Sequence, residues 1–471
     1  MKTIFFLDNW LIEKQICLDR VWSKPRFIKE VFEDYHPHVL GYGGYVTASW
    51  DERVGKYVMY VDIYPPEADP GTFSIRLESD DPAEWDDPLY EVATKPAWKG
   101  FERVVVDEQG ERFWPVYIHS LAGTPLADHG YLMSTFHPIR EKNQSIVGFS
   151  QDGMRFDIGQ TRVWQQTKAD TWCGWIWNEA AGLFEIITRP VHVDRRISVV
   201  TTPDMQTFSP AVTILQPDAF DPPGTEFYSM PVEPYEDLFI GQLHIFRTDL
   251  FEPGRIKMAG CMETHLTYSY NGLNWYRTLR EPFLPPRDFG ELGGGQIYGM
   301  EMLRTGKEKS EDSKILFFAH SSWGEHASYP DMQKAGFDTR GAFGLLLYEM
   351  RLDGFCSLRT KGKDGLLQTK TIIPQSGDLR LNLRTSRHTA VRVQILNGET
   401  GEPLPGYTLD EAISINGDHL FAQPQWQERT DLSELVGKPI RIEVMMREAE
   451  LFAIRIDCQA YIGTEPTESL A

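Results

Sequence analysis

Apolar and polar residues alternate with period two along most of the first 355 residues, and short polar tips interrupt the alternation at intervals. One recurring unit is an apolar run, a polar tip and a second apolar run. It reads Val46-Thr47-Ala48-Ser49-Trp50-Asp51-Glu52-Arg53-Val54-Gly55-Lys56-Tyr57-Val58-Met59-Tyr60, returns around Asp107-Glu108-Gln109-Gly110 and Asn178-Glu179-Ala180-Ala181-Gly182, and has a looser copy at Glu233 to Leu238. Asp, Asn and Gly between alternating strands tolerate the left-handed turn that a β-hairpin demands. A second unit is a tight turn before an aromatic residue, as in Ser150-Gln151-Asp152-Gly153-Met154-Arg155-Phe156 and Ser269-Tyr270-Asn271-Gly272-Leu273-Asn274-Trp275, with weaker copies at Thr202 to Phe208 and Ser79 to Trp85. Two such turns per unit predict a four-stranded sheet.

The hairpin tips sit near residues 51, 107, 178, 233 and 304, roughly 55 to 70 residues apart. The fifth is predicted from strands Gln296 to Leu303 and Ile315 to His320 joined by a charged loop. Four-stranded sheets repeated at a fixed period are the blades of a propeller. The expected fold is all-β: a five-bladed β-propeller over 41–354, preceded by a leader over 1–40 that packs on the propeller or on the C-terminal domain. Beyond 355 the chain becomes a series of short strands, such as Leu379 to Leu383 and Ile440 to Val444, separated by Asn-Gly and Pro-Gly turns. That pattern predicts a β-sandwich over 355–471.

Composition narrows the function classes. Thirteen Trp, 26 Phe and 19 Tyr supply a large core, and a net charge of −21 argues against nucleic acid and anionic membranes as partners. No apolar run reaches the roughly 18 residues of a membrane span, and the first residues are charged too early for a signal peptide, so a cytoplasmic protein is expected. Five scattered cysteines fit neither a disulfide framework nor a zinc motif. No phosphate-cradling Gly loop or serine nucleophile elbow is present, and neither a cofactor nor a metal is expected. Oligomeric state stays open.

In a propeller the inner strands line a central channel, and the residues at their starts face its mouth. Acids recur there: Glu102 in the second blade, Asp170 in the third, Glu226 in the fourth, and Asp288 and Glu291 in the fifth. Carboxyls that converge raise one another's proton affinity, which lets one act as acid and another as base or nucleophile. Glycoside cleavage needs that division. Glu226 is the candidate acid, Asp170 the base, nucleophile or orienting partner, and Glu291 or Asp288 the third member. Around them, Trp172, Arg189, Arg196, Tyr228, Gln296 and His326 are candidates for contact with substrate. The pair of histidines in His320-Ser321-Ser322-Trp323-Gly324-Glu325-His326 matches no standard metal spacing.

At these residues the chain resembles the five-bladed propeller glycoside hydrolases, the invertase-like and arabinanase-like group with a β-sandwich after the propeller. It is most similar to bacterial proteins of that architecture assigned as glycosyl hydrolases. The matching parts include Phe6 to Glu13, Asp170-Thr171, Arg195-Arg196-Ile197, Glu226-Phe227-Tyr228, Ile297-Tyr298 and Leu451-Phe452-Ala453. The invertase-like motifs are absent in their usual form: Asp8-Asn9-Trp10 and Thr188-Arg189-Pro190 stand in their place, and no Glu-Cys pair occurs. Asp8 is therefore a first-blade acid only if the leader enters the mouth. The resemblance implies hydrolysis of a small glycan by carboxylate acid/base catalysis. The alternatives are a glycoside phosphorylase, using Arg189, Arg195 and Arg196 as an anion site, and a non-catalytic carbohydrate-binding protein.

Overall fold

The computed structural model describes residues 2–32, 41–64, 72–86, 103–111, 113–135, 144–167, 169, 171–189, 194–248, 260–306, 310–362 and 364–461. The chain is all-β, with one six-residue α-helix, Tyr329–Lys334, among the described residues. It divides into two compact units: Pro25–Leu303 with Leu316–Glu349, and Met1–Lys24 with Arg304–Ile315 and Met350–Ala471.

The first unit is the propeller. Its inner strands are Gly41–Asp51, Tyr117–Ser120, Gly174–Asn178, the broken pair Thr225–Phe227 and Val232–Tyr235, and Gln296–Thr305. Each starts an antiparallel sheet. The five strands touch in a closed ring. Thr47 Oγ1 donates to Ile118 O at 2.8 Å, and the Tyr117 hydroxyl to Trp175 O at 3.2 Å. Gly174–Asn178 packs beside Val232–Tyr235. Glu233 hydrogen-bonds Glu301, and Glu301 Oε2 accepts the Ala48 N–H at 3.0 Å, which returns to the first blade.

The tight turn before an aromatic residue joins third and fourth strands and is built the same way in successive blades. Asp152 Oδ1 accepts from Met154 N and Arg155 N, Asp204 Oδ1 from Gln206 N and Thr207 N, and Asn271 Oδ1 from Leu273 N and Asn274 N. These side chains replace the ladder partners that the backbone loses at the turn. Between blades lies one apolar core, from Val46 and Phe73 in the first blade to Phe318 and Leu347 in the fifth. Burying each such side chain contributes about 1.5–3 kcal/mol.

Two features depart from the sequence reading. The tip at 107 is not the second blade's inner hairpin. Val104 bridges Ile75, and Val106–Asp107 pairs in parallel with Arg155–Phe156. The second blade instead turns through 121–130, where Gly123 and Gly130 have positive φ. The second departure is Arg26–Glu30, which lies before the first blade yet pairs antiparallel with Phe343–Arg351 as the outer strand of the fifth. It closes the ring by joining the chain's beginning to its last blade.

The second unit is the β-sandwich. One six-stranded sheet runs Leu18–Trp22, Cys356–Thr360, Ala449–Arg455, Arg380–Thr385, Asp418–Ala422, with Thr3–Phe5 on Ala449–Arg455. The other runs Ile12–Ile16, Asp364–Thr369, Ile440–Arg447, Ile372–Pro374, Cys458–Ala460, with Val391–Asn397 on Ile440–Arg447. Alternating buried residues such as Val391, Val393 and Ile395, or Ile440, Ile442 and Val444, form its core. No helix among the described residues is long and apolar enough to cross a membrane.

Candidate functional site

A cavity of about 340 Å³ opens at the propeller's channel mouth. The first blade contributes Tyr45 and Tyr64, the segment before the second blade Trp114, and the fourth blade Tyr228, Ser229 and His244. The fifth blade supplies Gln296, Tyr298, His320 and Phe343, and the chain beyond His320 adds His326 and Tyr329. A cavity of this size with many aromatic rings and a few convergent polar groups has the form of a small-molecule site.

Local backbone chemistry sets each wall. Gly43 and Gly44 have positive φ, and a Cβ on Gly44 would come within 2.3 Å of Asp62 and 2.5 Å of the Tyr64 hydroxyl. Only glycine lets the first inner strand bulge here and bring Tyr45 inward. Asp62 holds this corner, accepting from Tyr45 N at 3.0 Å, from the Trp114 indole at 2.7 Å and from Ser74 Oγ. Burial pushes its carboxyl up to about 7, with those donors acting in the opposite direction. On the opposite side, His320 lies stacked between Tyr298 and Phe343, at ring-centroid distances of 5.3 and 5.7 Å.

His244 is uncharged near neutral pH. Its Nε2 faces the Gly299 carbonyl at 2.8 Å and must carry the proton, while Nδ1 accepts from Ser229 Oγ at 2.6 Å. Burial lowers its pKa to about 4. Burial also holds the Tyr64 and Tyr298 phenols well above their ordinary range, so both stay protonated.

The residues singled out in the sequence fall in different places. Tyr228, Gln296 and His326 line the cavity, and the Tyr228 hydroxyl meets His326 Nε2 at 3.1 Å. Glu226 stands at the start of the fourth inner strand, 4 % exposed and ion-paired with Arg195. The Arg195 guanidinium stands 5.3 Å from the Tyr228 ring. Arg189 stands 4.8 Å from the same ring and donates to Tyr228 O at 2.9 Å. Thr171 Oγ1 also reaches Tyr228 O, at 3.2 Å, so the start of the third inner strand adjoins this corner. Asp170 itself lies outside the described residues, as does Glu102.

The other candidates stand apart from the cavity wall. Trp172 is buried in the inter-blade core, over Gly174 and edge-on to Tyr117. Arg196 pairs with Asp194. Asp288 is exposed, and Glu291 pairs with Arg287 at 3.2 Å in the same loop. Asp8 belongs to the sandwich unit, where it caps a turn by accepting from Trp10 N. Among the described residues no carboxylate lines the cavity, and no group of three or more His, Cys, Asp or Glu is placed to hold a metal.

Tyr45, Tyr64, Trp114, His244, Tyr298, His320, Tyr329 and Phe343 were not predicted. Several come from the ends of second strands or the starts of third strands, and the inner-strand rule ignores both. The one legible signal was their aromatic type at strand ends.

Fold and cavity together define a five-bladed propeller with an aromatic-lined cavity at its channel mouth. No family model and no curated protein matches the sequence. Among solved structures, the chain is similar to the catalytic domain of a Coprinopsis cinerea GH62 α-L-arabinofuranosidase (TM-score 0.43, 9 % identity, 70 % of this chain and 98 % of that one). It is similar also to an F. plautii N-acetylgalactosamine deacetylase solved with blood group B trisaccharide (0.43, 13 %, 71 % and 95 %). A Bombyx mori GH32 β-fructofuranosidase covers more of the chain (0.39, 11 %, 92 % and 94 %). At this distance the likenesses leave the chemistry to the side chains described above.

Proposed function

We propose that the chain is a glycoside hydrolase whose sugar-binding site is the mouth cavity. The observation that carries this reading is the convergence of aromatic rings and phenols on one small cavity. Rings stack on the C–H faces of sugars, and phenol and imidazole groups meet their hydroxyls. Glu226 is the described carboxylate we favour, two positions before Tyr228 in the strand Thr225–Phe227 that leads into the wall. Its ion pair with Arg195 suits a base, nucleophile or charge-stabilising role better than that of proton donor. Asp170, which precedes Thr171 in the sequence, remains the partner proposed from sequence.

The test is Glu226→Gln, which keeps the shape and a hydrogen bond to Arg195 but removes the charge. On an aryl glycoside that the native protein cleaves, kcat should fall about 10²–10⁴-fold with the fold intact by circular dichroism. Unchanged turnover would remove Glu226 from the mechanism. A second reading, a non-catalytic carbohydrate-binding protein, is favoured by the cavity's lack of a lining carboxylate among the described residues. Sugar binding without turnover across a glycoside panel would decide for it.

A further inference from the structure

Gln296 sits at the start of the fifth inner strand, 3 % exposed, with its hydrogen bonds fixed in one direction. Its Nε2 donates to the Gly324 carbonyl at 2.9 Å and to Ser322 Oγ at 2.6 Å. A carbonyl oxygen only accepts, so the amide nitrogen must face Gly324. The Gln296 Oε1 therefore faces Tyr298, and the Tyr298 hydroxyl spends its one proton on it. What remains on the Tyr298 oxygen is lone pairs.

Two further lining residues are committed in the same way. Tyr329 donates to Ala342 O and accepts from Gly324 N. His244 commits its only N–H to Gly299 O. Among the described residues the lining holds no Lys or Arg, and the nearest guanidinium groups, on Arg189 and Arg195, are engaged with Tyr228 O and Glu226. Around Tyr298 the cavity thus presents groups whose protons are committed, with no cation in the described lining.

Resting on the reading of the cavity as a sugar site, we infer that Gln296 is a positioning residue for specificity. By holding Tyr298 as an obligate acceptor, it selects uncharged sugar residues that bring hydroxyl hydrogens, and it rejects sugars bearing a carboxylate. A carboxylate has only lone pairs to present. It would be desolvated against another acceptor without a cation to compensate.

The experiment uses the full chain and matched pairs of methyl glycosides: galactoside against galacturonide, and glucoside against glucuronide. Binding is measured by calorimetry at pH 7.5, where the acids are ionised. The native protein should bind at least one neutral member more than about tenfold tighter than its uronide. Gln296→Leu frees the Tyr298 proton and should shrink that ratio several-fold, and Tyr298→Phe should do the same by removing the acceptor. A merely structural Gln296 would instead weaken both members of a pair equally. Uronides binding as tightly as neutral sugars would overturn the inference while leaving the sugar site in place. If neither class binds, both the inference and the sugar-site reading fall.

Discussion

The propeller and the sandwich each bury a glutamate at a point where strands meet, and they stabilise it in opposite ways. In the propeller, Glu301 hydrogen-bonds Glu233 within the ring of inner strands, with backbone N–H groups of Ala48 and Met302 as its other partners. Burial pushes Glu301 well above the ordinary 4.5 and Glu233 to about 7, so the pair holds a shared proton in place of a counter-charge. In the sandwich, Glu450 stands directly opposite Arg359 on one neighbouring strand and Arg384 on the other. Its carboxylate accepts from both guanidinium groups and from Ser357, and these contacts hold it below the ordinary value against the effect of burial. Burial sets only the penalty for charge. The neighbours decide whether a proton or an arginine offsets it.

The comparison can be broken most forcefully at Glu450. Glu450→Ala leaves two arginines facing each other across the sheet, and should destabilise the sandwich by about 2–3 kcal/mol. Hydrogen exchange of peptides spanning 356–360 and 449–455 would show it, and native protection in the variant would refute the account. A pH series sharpens the contrast. A carboxyl with a raised folded pKa binds more protons folded than unfolded, so the propeller's ring should lose stability as pH rises from 4.5 to about 7. The lowered pKa of Glu450 works the other way: its contribution is full above 4.5 and is lost as pH falls below it.

Glu301→Gln tests the first half. It keeps a hydrogen bond to Glu233 without a second acid. Relative to native protein it should be neutral at pH 4.5 and more stable by on the order of 1–3 kcal/mol at pH 8. An unaltered pH slope in exchange of 232–240 and 298–305 would count against proton sharing. The smallest effect is expected from Arg359→Ala, because that side chain is 49 % exposed and Arg384 still holds Glu450. Its loss should be under about 1 kcal/mol by denaturant titration.

The hairpin tips of the first, third and fourth blades were legible because their turns rest on local chemistry. Gly55 and Gly182 take positive φ, and Asp or Asn side chains cap the backbone next to them in sequence. The second blade was misplaced because Val104 to Asp107 alternates like an inner strand although it pairs elsewhere. Tyr228 and Gln296, singled out at the starts of inner strands, line the cavity, and so does His326, which follows the fifth blade's second strand. Glu291 and Asp288 stand at a strand start as well, yet the loop turns them to solvent.

By itself the sequence determined what period and turn chemistry determine: an all-β chain, five sheets in succession, then a sandwich. Those signals span a few residues and need no distant partner. Only the tertiary structure decided that residues 26–30 close the fifth blade, that Tyr64, Tyr298 and Phe343 share a cavity, and that Glu233 meets Glu301. Such pairings join residues tens to hundreds of positions apart, and the chain must close into a ring before either partner has the other as its environment.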